Sequence, residues 1–433
     1  MSESGPREAT DARDGRPGAR PPPRRRRRPW ARWQRKAEEA RVAATDAVKA
    51  VLRRVFAPVG TVRASASRWI DPRRRVVVPI AAVLIIAIAA VLPLLKEWFD
   101  LPGWMLRATS GGSLSRVALF TLFALGLNVV VGFAGLLDLG YVAFWAIGAY
   151  TAAILTGARD YTRTLRTTEG VIPQPEWANW MWLILFAALA MAVIAGITLG
   201  SPTLRLRGDY LAIVTLGFGE IIRVTANNLA GFTLGPQGIS NIPHPAIQIG
   251  PVDLEWRTFL DNKYYWLLLV FVVLWIIAIS LLDRSRIGRA WVAIREDEVA
   301  AAAMGVPIVR MKLAAFVIGA CTAGVGGVIY AEQINTVSPG TFTIFQSILI
   351  LSAVVIGGMG STAGSIVGAI IVVLLPEIFR EFESYRFFVF GLALIVLMIF
   401  RPQGLIPSKR RKAELKGAIV EEQLFDAAGG EHL

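Results

Sequence analysis

The stretch AIREDEVAAAAMGV, Ala293 to Val306, sets Arg295, Glu296, Asp297 and Glu298 in an unbroken row between two long apolar segments. At about 2.5 to 3.5 kcal/mol per Arg or Asp at the centre of a bilayer, four such residues would cost on the order of 10 kcal/mol there. The row therefore marks a loop outside the membrane, and the apolar segments that flank it are spans. Arg289 to Met304 holds no Gly or Pro, and Ala300 to Ala303 is the strongest helix former in sequence, so the spacing predicts one short helix. Gly305 stops it and Pro307 follows, as expected at a helix C-terminus. An isolated helix of this length is marginal in water, so a docking partner is expected to support it. The partner would receive the Ala/Met face in a groove, with Arg295, Glu296, Asp297 and Glu298 at the rim.

Working outward, the 433 residues are 54% hydrophobic and 18% charged, which points to an all-α polytopic membrane protein rather than to two or three soluble domains. Ten apolar segments are read at about 76–95, 115–135, 139–157, 180–199, 209–226, 264–282, 312–331, 342–358, 364–379 and 387–400. Several fall short of the roughly 20 residues of a full span and predict broken or tilted helices. Residues 1–75 carry 21 Lys/Arg against 8 Asp/Glu, nearly all of the formal net charge of +14. Within them, 1–29 reads as a disordered basic arm. Residues 30–75 read as an amphipathic helical region on the cytoplasmic membrane face or on a partner subunit. Anionic lipid, rather than nucleic acid, is the nearer polyanion for that arm.

With the basic terminus inside, an even number of spans returns the 406–433 tail to the cytoplasm. The basic loop 283–311 also falls inside and the loop 227–263 outside, as the positive-inside rule requires. No secretory signal is visible, and Cys321 has no second cysteine to pair with. One weak internal echo, VVVGFAG (Val129 to Gly135) and VVIGGMG (Val354 to Gly360), would fit a duplicated half.

Three places are candidates for the translocation path. Around Asn128, Gly135, Asp138 and Gly140, a helix break near Leu137 to Gly140 would leave a half-helix starting at Tyr141. Its free N–H groups and dipole suit a carboxylate, with Phe144, Trp145 and Tyr150 as an apolar wall. Close packing of small residues accounts for the same glycines without a substrate. The second place is TLGFGEIIR, with Thr215, Gly217 and a Glu220/Arg223 pair three residues apart, read either as a path element or as the outer membrane interface. The third, Gly357 to Gly364, reads as a cytoplasmic turn. The loop Leu234 to Pro251 reads as a surface loop with His244 as a surface histidine.

The loop SRIGRAWVAIREDEVAAAAMGV ahead of KLAAFVIGACTAGVGGVIYA resembles the LivM-like permeases of branched-chain amino-acid ABC importers. So do GLNVVVGFAGLLDLGYVAFWAIGAYTAAIL, LRGDYLAIVTLGFGEIIRVTANN, GPQGISNIP and ILILSAVVIGGMGSTAGSIVGA, in the same order over about residues 110–405. The resemblance implies that the charged loop is the coupling helix that fits an ATPase subunit, with Arg295, Glu296, Asp297, Glu298, Ala301 and Gly305 as contact residues. Glu298 stands seven residues before Gly305 where the general importer motif has its acid six before, so which acid makes the main contact stays open. It further implies a related permease subunit, two cytoplasmic ATPase subunits and an extracytoplasmic solute-binding protein as partners, in a prokaryotic cytoplasmic (inner) membrane. The substrate would be a branched-chain amino acid, or urea, a short amide or another small solute.

The chain has no G-x-x-x-x-G-K-[ST] loop, so ATP is expected to be hydrolysed by partner subunits, with no cofactor or metal held here. An ion-coupled carrier needs deep carboxylates, and apart from Asp138 and Glu220 the spans offer almost none. An enzyme needs a nucleophile with a base, or a metal set, which two His and one Cys do not assemble.

Overall fold

A computed structural model of the chain describes residues 86–94, 111–160, 162, 180–203, 209–249, 252–255, 262–378, 388, 391, 392, 394–396, 399 and 403–407. The basic arm, the amphipathic region 30–75, the start of the first apolar segment and the tail beyond 407 lie outside the described residues.

The helices follow the apolar segments closely: α1 Gly111–Leu127, α2 Tyr141–Leu155, α3 Met181–Thr203, α4 Asp209–Asn228 and α5 Asn262–Arg284. Then come α6 Arg286–Glu296, α7 Glu298–Ala303, α8 Ile308–Ile334, α9 Ile344–Gly357 and α10 Thr362–Ile378. Two short antiparallel ribbons are the strands described: β1 Ile239–Ser240 with β4 Thr336–Val337, and β2 Ala246–Ile249 with β3 Val252–Glu255. Among the described residues, five helical stretches are long and apolar enough to cross a membrane. At 1.5 Å per residue the 23 residues of α3 or α5 reach about 35 Å, enough for the hydrocarbon core, whereas the 15 of α2 and the 14 of α9 reach only about 22 Å. The short ones are the expected broken helices. α2 is preceded by the irregular run 134–140, and α9 by the 3-10 turn Pro339–Thr341.

α8 is the axis of the bundle, running from the charged loop at one end to the β1–β4 ribbon at the other. It packs on α2 and α3 through small residues. A Cβ added at Gly148 would lie 2.1 Å from the Gly324 carbonyl, and one at Gly327 would lie 2.4 Å from the Trp145 carbonyl. These backbones touch, which in lipid substitutes for the hydrophobic drive that helix pairs lack there. Gly357 and Gly368 do the same for α9 and α10, against Gly364 and the Ala353 carbonyl. α1 is central too: 94% of its span is buried, against 22% for α5, whose Val270, Leu274, Ile277 and Leu281 form an outer apolar face. Tyr265 Oη and Trp266 Nε1 of α5 donate to the carbonyls of Ala89 and Ala90, which holds residues 86–94 against the bundle.

The charged loop departs from the single helix that its composition predicts. α6 ends at Glu296, Asp297 is extended, and α7 begins one residue later. The reason is local. Asp297 Oδ1 accepts from the N–H groups of Val299 and Ala300 at 2.8 and 3.0 Å, so the residue is an N-cap that restarts the helix in a new direction. The loop that begins at Leu234 departs as well. Gly235, Gly238, Ile239 and Ile242 are buried, and His244 is half-buried rather than a surface histidine. Its Nδ1 lies 2.7 Å from Tyr264 Oη and 2.8 Å from the Glu332 carbonyl, so the loop is stitched onto the ends of α5 and α8.

Candidate functional site

The loop end of the bundle is built around α6 and α7. Ser285 caps α6 by accepting from Gly288 N–H, and Trp291, 1% exposed, sends its Nε1–H to the Met311 carbonyl at 2.7 Å. That anchor fixes α6 against the first turn of α8. Arg295 points inward rather than to a rim, with Nη1 donating to the Gly132 carbonyl at 2.7 Å. Its side chain runs between Gly135 (φ +71°) and Gly360 (φ +75°), the last glycines of the two echoing stretches. Both turns occupy the left-handed region that glycine allows, and any Cβ at Gly135 would meet Arg295 Cγ at 2.8 Å. Asn128 Oδ1 joins the same turns by accepting from Gly360 N–H at 2.8 Å.

Glu298 is also turned inward, 2.8 Å from Lys312 Nζ, whose side chain is only 5% exposed. Ala301 is buried. Of the residues expected to meet a partner, Glu296, Asp297 and Gly305 remain exposed, and the apolar part of the exposed surface comes from Val299, Ala302, Ala303 and Met304. Gly305 has φ +81°, and Val306 N–H reaches back to the Ala301 carbonyl, the Schellman-type stop that the sequence signals.

The helix break falls where the glycines place it, with α2 starting at Tyr141, but its amides are not open to a ligand. Leu139 N–H donates to Thr215 Oγ1, Gly140 N–H to Asp138 Oδ1 and Val142 N–H to Ser347 Oγ. Gly140 lies so close to α4 that a Cβ there would sit 2.0 Å from the Thr215 carbonyl. Irregular backbone at membrane depth must be satisfied by protein, and here three side chains do it. Asp138, Thr215 and Ser347 thus latch α2 to α4 and α9. Phe144 packs edge-on against Phe316, while Trp145 and Tyr330 meet at 5.0 Å further along α8.

Glu220 and Arg223 pair as their spacing predicts, with Arg223 Nε 3.1 and 3.0 Å from the two carboxylate oxygens. The pair is exposed on α4, beside Ile213, Ile221 and Val224, and nothing approaches a Cβ at Gly217 within 4 Å. Sequence reasoning placed almost no deep carboxylate beyond Asp138 and Glu220. Glu332, 1% exposed near the end of α8, revises that count, and Glu220 is the exposed one. It also missed a cavity of about 390 Å3 at the ribbon end, lined among others by Arg116 and Glu377. The signal was available, since each is an isolated charge in an apolar segment.

The family described as the permease component of the branched-chain amino acid transport system matches residues 111–399. The high-affinity branched-chain amino acid transport system permease protein LivM of Escherichia coli (strain K12) is 42% identical over 323 residues, covering 70% of this chain and 72% of the relative. A probable LivM of Methanocaldococcus jannaschii is 25% identical over 66% of this chain and 85% of its own. LivH of E. coli K12, another permease protein of that system, is 22% identical over 66% of this chain and 91% of its own. No solved structure matches the chain. The matched region begins at the first residue of α1 and takes in every helix that builds the loop end, the latch at Tyr141 and the cavity. The chain belongs to the permease family of branched-chain amino acid transport systems.

Proposed function

We propose that this chain is a transmembrane subunit of an ABC importer that passes branched-chain, hydrophobic amino acids inward from an extracytoplasmic solute-binding protein. Its partners are a related permease subunit and two cytoplasmic ATPase subunits, and no ATP is bound by this chain. The observation that carries the reading is the construction of α6 and α7. Trp291, Arg295 and the Glu298–Lys312 pair tie them into the bundle, while Val299 and Met304, 67% and 84% exposed, are left outside it. A cap of alanines and two large apolar residues on a firmly braced strut suits a groove in a moving partner, because force applied to it reaches the spans. Glu296 and Asp297 border that cap and are the acids assigned to the ATPase rim; Glu298 serves inside the chain.

The loop end is assigned to the cytoplasm of a prokaryotic inner membrane, in accord with its Arg and Lys excess. Charges at membrane depth face protein or water. The α4 face with Gly217, Glu220 and Arg223 is accordingly assigned to the related permease and the aqueous path beside it. Asp138 and Thr215 act as the latch whose release would let α2 part from α4.

The test is uptake of labelled leucine into proteoliposomes holding all the subunits. Uptake is expected to require ATP and loaded binding protein, and to persist with a protonophore. An uncoupler-sensitive, ATP-independent uptake would refute the importer reading. Sidedness is checked separately with Ala302→Cys in a Cys321→Ser background, Ala302 being exposed where Ala301 is buried. A membrane-impermeant maleimide should reach it only from the inner side.

A further inference from the structure

α5 carries one apolar stripe along its whole length. Trp266, Val270, Leu274, Ile277 and Leu281 are exposed at spacings of three and four, and Arg284 follows in the same register. Helix faces that meet other helices in a membrane are rich in Gly, Ala, Ser and Thr. The stripe holds none of these, and Ser280 beside it spends its hydroxyl on the Ile276 carbonyl, so acyl chains suit it better than a second subunit. From Trp266 to Arg284 the helix rises about 27 Å at 1.5 Å per residue, which matches the hydrocarbon thickness of a bilayer. Indole rings and guanidinium groups are the side chains that mark the two interfaces. Arg284 therefore stands at headgroup depth on the loop side.

Two further arginines gather at the foot of that stripe. Arg286 opens α6, and Arg289 Nη1 donates to the Arg284 carbonyl at 2.9 Å, which brings its guanidinium back to the last residue of α5. All three arginines are exposed, and among the described residues none of them forms an ion pair. Asp283, the acid beside them in sequence, is half-buried and makes an interaction of its own. We propose that Arg284, Arg286 and Arg289 bind the phosphate headgroup of an anionic phospholipid whose acyl chains lie along the α5 stripe. From Leu281 back to Val270 the stripe rises about 16 Å, the depth of one leaflet's hydrocarbon. A soluble anion or an acidic protein surface would use the three charges and leave that wall without a role, whereas an anionic lipid uses both. Arg286 and Arg289 belong to α6, so the headgroup ties the start of the strut to the bilayer surface while Trp291 and Arg295 brace its other end from within. The site stands whichever solute the subunit passes.

The experiment is native mass spectrometry of the full-length chain, purified with its partner subunits in a neutral detergent. It is titrated with phosphatidylglycerol and, separately, with phosphatidylcholine of the same acyl chains. Each of Arg284→Gln, Arg286→Gln and Arg289→Gln should weaken phosphatidylglycerol binding about fivefold, equivalent to about 1 kcal/mol per arginine. The triple variant should weaken it at least twentyfold, and phosphatidylcholine binding should not change in any of them. The corresponding Lys variants should stay within twofold of the unmodified chain. The basic residues of 1–75 are present throughout, so their contribution cancels in every comparison. Glycerol phosphate, the same head without chains, should not displace the lipid at equal concentration. If the triple variant does not assemble, Arg286→Gln decides the matter, since its exposed side chain holds no contact within the described residues. Unchanged phosphatidylglycerol affinity in the arginine variants would overturn the site, and displacement by glycerol phosphate would make it a site for a soluble phosphate instead. Loss of the ATPase subunits with lipid binding intact would give the arginines to that partner and equally overturn the proposal.

Discussion

Replacing Glu298 should damage the loop end far more than replacing Lys312, although the two form one ion pair. The asymmetry follows from exposure: the Lys312 side chain is 5% exposed and that of Glu298 33%, with 2.8 Å between Nζ and Oε2. Glu298→Gln leaves an ammonium in a dry site with no counter-charge. A fully buried pair broken in this way loses about 3 to 5 kcal/mol. Because water reaches one side of this pair, a loss of about 2 kcal/mol is expected, including the favourable placement of Glu298 in the first turn of α7. Lys312→Met removes the buried charge along with its demand and leaves Glu298 facing solvent, at a cost of under about 1 kcal/mol. The double variant should resemble Lys312→Met alone. Amide hydrogen exchange of the purified protein in nanodiscs reads the difference directly, since local opening carries its own free energy. Amides in 299–306 should exchange about thirtyfold faster in Glu298→Gln and less than about fivefold faster in Lys312→Met, by the tenfold-per-1.4 kcal/mol rule. Equal effects, or a double variant worse than either single one, would refute the reasoning.

Arg295→Ala should raise the ATP hydrolysed per leucine taken up in the reconstituted transporter, because it cuts the link from α6 to Gly132 and the Gly360 turn; an unchanged ratio would argue that the link carries no force. Gly140→Ala and Gly148→Ala should fail to yield assembled protein on co-purification, each placing a methyl about 2 Å from a backbone oxygen. Gly217→Ala should express at or above the unmodified level when this chain is produced alone, since its Cβ meets nothing within the chain and alanine favours the helix by up to about 1 kcal/mol. Asp297→Ala should lower α7 stability by about 1 kcal/mol, read as roughly fivefold faster exchange of the Val299 and Ala300 amides.

Most of the span pattern was legible because lipid imposes it. Apolar length sets α3, α5 and α8, and a missing half-length sets the breaks before Tyr141 and Ile344. The start of α2 at Tyr141 followed from glycine spacing alone. What escaped the sequence depended on partners distant in the chain. Arg295 reads as one more loop charge until Gly132 and Gly360 fold beside it, and Glu298 looks solvated until Lys312, fourteen residues on, turns back over it. His244 looks like a surface residue for the same reason, its neighbours being Tyr264 and Glu332. Asp297 misled by composition, since an acid inside a helical run is also the residue best suited to end one helix and start another. The latch amides were unreadable because Thr215 and Ser347 are 76 and 205 residues from the atoms they satisfy.

The seam of α8 against α2 at Gly148, Gly324 and Gly327 puts main chain on main chain. Such a contact has no rotamers to exchange and therefore no half-shifted arrangement to rest in, so the two helices travel together like fused beams. Among the described residues, bending finds softer places where the chain is already irregular, as at 134–140 before α2, 335–343 before α9 and 358–361 between α9 and α10. In the alternating access proposed for this subunit, these joints are where fastenings such as Leu139 to Thr215, Val142 to Ser347 and Gly360 to Asn128 would have to release.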